Sequence, residues 1–567
     1  MLGLHEILSF SKIFEDEIFE DYLSRIDEIP RDLLINTATH LLSFYHTESI
    51  AKDHKELLSQ WFCEGNNAFA NEINDRINSL PNKTIILNAR SSLTLFESVL
   101  SSDNTSSEIS NEEFEVLLFK IYLAINEQLN LNDDKVLSSV KDDVPYSRIF
   151  CLAIANSLPT FDITNYDSNS VFVSQVVKAI YLLEFLESRL DTQMLLQEFY
   201  RKFEVNGYKE FLGKLLPVSF NVIASNQKGN IDIVLNDDAE FDSNSAFLDR
   251  LSINNINDER SADFLTLRAN PLIKISRDTY RIIYPLFVLE KNFNGLYFLL
   301  KEVNDTLDRA NRVNLRQLVT FDFSEKYILY SIIERAFEKK YLKLRGEQMT
   351  TPGAPDYYIR NGNKVFIFES KDILINADVK ESYDFEKYES ELKDKLYYHI
   401  RNHRESPKAV KQLCNFSRSL LDGSFREDSR YKSNSIKIYP IIVLHNRQLD
   451  IVGLNNLINV WFKIETELIE DKTLKISNIQ MPTIIGIETL ILIHEMLSRN
   501  EIKLEKILEE YQYYISDKRI KAKRYKNEAE LHAEMQNQLA SFNMYIQNRF
   551  SFKVPNLFEE KGISILS

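Results

Sequence analysis

Residues 354–371 read APDYYIRNGNKVFIFESK, and the Asn361-Gly362 pair decides how they fold. A two-residue hairpin loop needs positive φ, which Asn-Gly tolerates at little cost. Extended segments flank it, Asp356 to Arg360 and Lys364 to Lys371. With Asn361-Gly362 as the loop, Arg360 faces Asn363, Tyr358 faces Val365 and Asp356 faces Ile367. Side chains alternate faces along a strand and opposed residues share one, so Asp356, Ile367, Glu369 and Lys371 point the same way. Two carboxylates and an ammonium converge on one patch.

Two acids a diagonal step apart on neighbouring strands can share a hard divalent cation, which prefers oxygen ligands. A lysine two residues beyond can polarise a water or steady a phosphate. Without a cation the acids resist joint ionisation and one pKa rises. The plainer alternative is a salt-bridged hairpin in which Lys371 neutralises Glu369.

Pro355-Asp356, twelve intervening residues and then Glu369-Ser370-Lys371 resembles the PD-(D/E)xK nuclease superfamily, the fold of many restriction enzymes and recombination nucleases. The likeness covers about residues 317–500. It implies a restriction-endonuclease-like α/β core and a nuclease that uses Mg2+, with Mn2+ as a substitute. Asp356 and Glu369 would be metal ligands, the Ser370 carbonyl a further one, and Lys371 a catalytic residue. The superfamily often adds an acid from its first helix, which Glu325 resembles, with Glu334 as the fallback. Gln412-Leu-Cys-Asn-Phe416 is similar to the Q-x-x-x-Y motif of the recombination-nuclease branch with Phe in place of Tyr, so Gln412 would meet nucleic acid beside Lys408 and Lys411.

The 567 residues suffice for several domains, and 44% hydrophobic with 27% charged residues is ordinary for a soluble protein. Cys63, Cys151 and Cys414 are too few and scattered for a disulfide framework or thiolate metal site, and a reducing cytoplasm is the expected setting. The start MLGLHEILSF lacks a basic segment, and no membrane partner is expected. Net charge is −16, which argues against nucleic acid until it is mapped. Residues 1–316 hold 30 basic and 48 acidic residues, whereas 317–567 hold 38 and 36. Basic runs lie at Lys518 to Lys526 and more loosely at Arg401 to Arg418.

In chain order, residues 1–215 read as an acidic all-helical domain with spacings such as VFVSQVVKAIYLLEFLESRL at Val171 to Leu190. Residues 216–316 read as a mixed connector, with VSFNVIAS and NIDIVLN as one hairpin and PLIKIS and TYRIIYPL as another. Asp232, Asp237, Asp238 and Asp242 fit no calcium loop. Residues 317–500 begin with a helix capped by Ser324. Its apolar stripe Ile328, Leu329, Ile332, Ile333, Ala336 and Phe337 includes Glu325 and excludes Glu334. A long helical tract, Glu386 to Leu421, carries His399 and His403 four apart, a solvated face rather than a metal site. IKIYPIIVLH at 436–445 reads as a strand buried on both faces. A helix, a last strand at PTIIGI and another helix follow. Residues 501–567 form a helical basic extension.

The sequence-level expectation is thus a multidomain α and α/β chain with metal-dependent nuclease activity. DNA is favoured over RNA, a protein partner or second copy is allowed, and anti-phage defence or restriction is the setting by analogy. The alternative is a catalytically inactive nuclease-fold binding module. No G-x-x-x-x-G-K-[ST] loop occurs, so ATP hydrolysis is not expected.

Overall fold

The computed structural model describes residues 6–43, 54–82, 84–100, 109–142, 147–225, 229–253, 262–551 and 553–566. The chain is mixed α/β and mostly helical, at 61% helix, with several small sheets. The largest sheet has five strands: β1 (Leu342–Arg345), β2 (Tyr357–Asn361), β3 (Lys364–Lys371), β4 (Lys437–Leu444) and β5 (Thr483–Gly486). Their spatial order is β5-β4-β3-β2-β1. Strands β5, β4 and β3 are parallel, and β2 and β1 join antiparallel. The six helices that matter most are α1 (Ser168–Glu187), α2 (Leu329–Ala336), α3 (Phe385–Leu396), α4 (Ala409–Leu421), α5 (Leu454–Glu467) and α6 (Ile487–Ser498).

Alternation along the strands gives the sheet two cores. Tyr357, Ile359, Phe366, Phe368 and Tyr439 belong to one cluster with residues of α1, α2 and α6. Tyr358, Val365, Ile367, Ile438 and Ile442 belong to the other, with α3, α4 and α5. A sheet covered on both faces needs such unbroken apolar strands, which is why β4 reads KIYPIIVL.

The hairpin forms, with its register two residues from the expected one. Asn361 pairs with Lys364 and Tyr358 with Ile367, so the loop is Gly362-Asn363. Gly362 has φ +62 while Asn363 is not among the positive-φ residues, the pattern of a turn needing glycine at its first central position. An even shift preserves faces, and Asp356 now falls opposite Glu369 itself.

Other expectations are corrected. VSFNVIA is the end of a helix, Tyr208–Ala224, that continues through Pro217. The strands in that region are Asp232–Val234, Leu272–Lys274 and Thr279–Ile282, in one antiparallel sheet. The first 215 residues are not wholly helical, because Glu6–Ile7 pairs with Thr84–Ile85. Ser324 caps nothing: helix begins at Leu315 and passes through a π-type stretch, Leu318–Ile328, into α2. The Glu386 to Leu421 tract is broken by a hairpin, Tyr398–Arg401 with Arg404–Pro407, which puts His399 on a strand and His403 in its turn.

The expected boundaries at 215/216 and 316/317 both fall inside helices, and one apolar cluster runs from Leu8 to Ile565. Helix α1 is long and apolar enough to cross a bilayer by length and composition, yet its most apolar window is 89% buried within the protein. It is a core helix here. Charge ties the same regions together. Arg268 meets Asp162 at 2.8 Å, Glu290 at 3.1 Å and Asp263 at 3.3 Å; Lys380 meets Asp263 at 2.7 Å and Asp162 at 3.4 Å; Arg447 meets Glu290 at 3.2 Å. Three acids face three cations, which permits burial.

Arg268→Leu leaves those acids with two cations, and we expect a loss of about 3–5 kcal/mol in urea unfolding. A chain starting at residue 201 lacks α1, and circular dichroism should find it unfolded or the protein insoluble. A truncated chain that melts cooperatively would show that the shared core is not needed.

Candidate active site

Asp356 precedes β2, and the Ser370 N–H donates to its Oδ2 at 2.7 Å. Gly346 supports this turn: its N–H donates to the Asp356 carbonyl at 2.8 Å, and a Cβ there would meet that oxygen at 3.3 Å. Glu369, 3% exposed, lies across the hairpin, and Lys371 Nζ donates to its Oε1 at 2.6 Å. Asp356, Glu369 and Lys371 therefore share one place, as the alternation predicts. The ion pair of the plainer alternative is also present.

Glu325 joins them from the π-type stretch before α2, on the other side of the sheet. Its neighbour Ser324 is wholly buried and donates to Asp372 Oδ2 at 2.6 Å, which pins that stretch to the end of β3. Burial, then the charges of Asp356, Glu369 and Asp372, push the Glu325 carboxyl up to about 8 against the pull of Lys371. Burial pushes Glu369 up to about 7, with Asp356 adding to the rise and Lys371 opposing it. Asp356 is raised by burial as well. Lys371 stays protonated: burial works against its charge, but Glu369 and Asp356 outweigh it. Glu334, the fallback acid, pairs instead with Arg345 at 2.5 Å.

Ser370 Oγ points to the opposite face, where it lies 2.8 Å from His445 Nε2. Burial holds His445 well below the usual imidazole range. Behind it, Lys178 of α1 donates to the His445 carbonyl at 2.9 Å and meets Glu488 at 2.5 Å. Sequence reasoning missed Asp372, His445 and Lys178 as parts of this site. Asp372 alone had a local signal, as a third acid one residue past Lys371.

Gln412, Lys408 and Lys411 are not brought into hydrogen-bonding reach of the acids by any bond among the described residues. Lys411 meets Glu405 at 2.5 Å, and the Gln412 side-chain oxygen is buried without a hydrogen bond. Phe416, where the similar motif has Tyr, is core and packs 5.1 Å from Phe425. A small cavity of about 60 Å³ at the ends of β4 and β5 is lined by Asn446, Arg447, Asp450 and Glu488.

Among the described residues no group of three or more His, Cys, Asp and Glu side chains is arranged as a metal shell. The bonds to Ser370 N–H and Lys371 take one oxygen each of Asp356 and Glu369. Mg2+ commonly takes one or two carboxylates and completes its shell with water and phosphate, so this pair fits such an ion. The chain matches no protein-family model, no curated protein and no solved structure.

In EDTA the folded state keeps protons on Glu325 and Glu369 that the unfolded chain releases near 4.5. Stability from these groups is full below that value and is lost as pH rises through about 7 and 8. Thermal melts across that window should show the fall, and Glu369→Gln should flatten it. Mg2+ should restore stability in the native chain only.

Proposed function

We propose that the chain is a metal-dependent nuclease of PD-(D/E)xK type that hydrolyses phosphodiester bonds, DNA favoured. The observation that carries this reading is the crowding of Glu325, Asp356 and Glu369 around Lys371 at the end of β3, with Asp372 beside Glu325 and facing Lys178. The order of elements supports it: helix, β-hairpin, helix, buried strand, helix, the order the superfamily resemblance implies for a restriction-endonuclease-like core.

Asp356 and Glu369 would hold the Mg2+, with Glu325 at the edge of the set; Mn2+ would serve as well. Bound there, the ion would supply Lewis acidity toward a phosphate oxygen. Lys371, kept protonated by its neighbours, acts as a fixed positive charge where the phosphorane oxygens gain negative charge, which fits charge stabilisation better than proton abstraction. Ser370 serves through its backbone, since its N–H orients Asp356 and its hydroxyl faces His445.

The second reading, an inactive nuclease-fold binding module, is favoured by the Lys371–Glu369 ion pair, which already satisfies both groups. Asp356→Asn and Lys371→Ala separate the two. On the nuclease reading each lowers Mg2+-dependent DNA cleavage by about 10²–10³-fold; Asp356→Asn leaves the melting temperature little changed, whereas Lys371→Ala lowers it by leaving Glu369 without its partner. No cleavage by the native chain with Mg2+ or Mn2+, or full cleavage by either variant, favours the binding module.

A further inference from the structure

The hairpin that interrupts the α3–α4 tract is unlike the rest of this acidic chain. Arg401 pairs with Arg404 and Tyr398 with Pro407. Its turn, Asn402-His403, has φ +50 and +59, the left-handed pair that matches the twist of a tight two-stranded ribbon. All residues from Ile400 to Pro407 are exposed, Ile400 by 60%.

The base is held firmly. Tyr397 stacks on Trp461 with ring centroids 5.2 Å apart and planes 9° apart, and its hydroxyl donates to Glu465 at 2.7 Å. Lys411 lies 5.0 Å over the Tyr398 ring. The tip has no such support. Arg401, His403 and Arg404 have no ion-pair partner among the described residues, while the nearby acids Glu405 and Asp394 are taken by Lys411 and His399. Arg401 and Arg404 oppose each other directly, an arrangement of like charges that costs stability unless an anion lies between or beside them.

The chain enters the ribbon from a point close to the end of β3. Lys395, near the end of α3, donates to the Leu374 carbonyl, three residues beyond Lys371. From the hairpin, α4 leads back to Asp428, which accepts from Arg360 at 2.9 Å near the opposite, hairpin-loop end of β2. The entry to the ribbon is thus tied to the segment just past β3, while Tyr397 and Lys411 tie its base to Glu465 near the end of α5.

We infer that the Tyr398–Pro407 ribbon enters the major groove of B-form DNA and anchors the duplex beside the site. That groove is about 12 Å wide and admits a two-stranded ribbon. The major groove of A-form RNA is too deep and narrow for side chains to read. The link from anchoring to cleavage rests on the nuclease reading; the binding itself does not.

The test uses the full chain and a 30-base-pair DNA duplex in EDTA, with fluorescence anisotropy read over a range of salt. Arg401→Ala/Arg404→Ala should weaken binding by about tenfold at moderate salt and reduce the slope of log affinity against log salt by about two. Arg401→Glu/Arg404→Glu should weaken it further, and melting should not fall in the alanine variant, because the tip packs against nothing and the opposed charges are removed. Unchanged affinity and slope, no duplex binding by the native chain, or a loss confined to double-stranded RNA each overturns the assignment. If Lys371→Ala cleaves as well as the native chain in Mg2+ while the arginine variants lose affinity, the nuclease reading fails and the ribbon assignment stands.

Discussion

A charge can leave water only if something meets it inside, and the two dense charge clusters of this chain meet that constraint differently. Around Arg268, three acids face three cations, and hydrogen bonds from Arg447 to the Asp162 carbonyl and from Gln448 to Asp263 take up further acceptors. The cluster is neutral, and it holds parts of the chain far apart in sequence to one another. At the end of β3 three acids surround Lys371 while Asp372 beside them faces Lys178, and the shortfall appears as carboxyl groups raised to about 7 and 8. Balance marks a structural clamp. On the proposed reading the imbalance would be completed from outside, with a divalent cation as the simplest complement to clustered carboxylates.

That site was legible because sheets have period two. The Asn-Gly signal misplaced the hairpin loop, yet the error was an even number of residues and left every side chain on its face; a one-residue slip would have sent Asp356 to the side of Ser370. Strand β4 and helix α5 were legible for a related reason, since an unbroken apolar run and a 3.6-residue stripe each have one economical burial. Glu325 was picked out by helical phase, although the helix around it is π-type and begins nine residues before the supposed cap.

What was hidden depended on partners distant in sequence. Ser324 looks like a cap because serine before an apolar stripe often is one; the hydroxyl is instead spent on Asp372, and nothing local announces that. The 386–421 tract has helical composition at both ends, and its hairpin turns on Asn and His at positive φ rather than on glycine. The Val218 to Ala224 segment is β-branched and aromatic enough to read as a strand, but it extends a helix already nucleated at Tyr208, and packing overrides propensity.

The acidic first half also takes on a different meaning once α1 is seen inside the shared core. A separable domain of that charge could shield the site from polyanions by lying across it and then moving away. Helix α1 cannot move in that way, because Lys178 is buried between the His445 carbonyl and Glu488 while the apolar residues around it share one core with β3 and β4. Any repulsion from the first 200 residues is then a fixed field. It falls off over about 10 Å at 0.1 M salt, so a nucleic-acid substrate of the proposed kind would have to come in from a side where local charge is favourable. On the proposed reading Arg401 and Arg404, without ion-pair partners among the described residues, would supply such a side, and a rigid acidic body would narrow the approach of a duplex to that one direction.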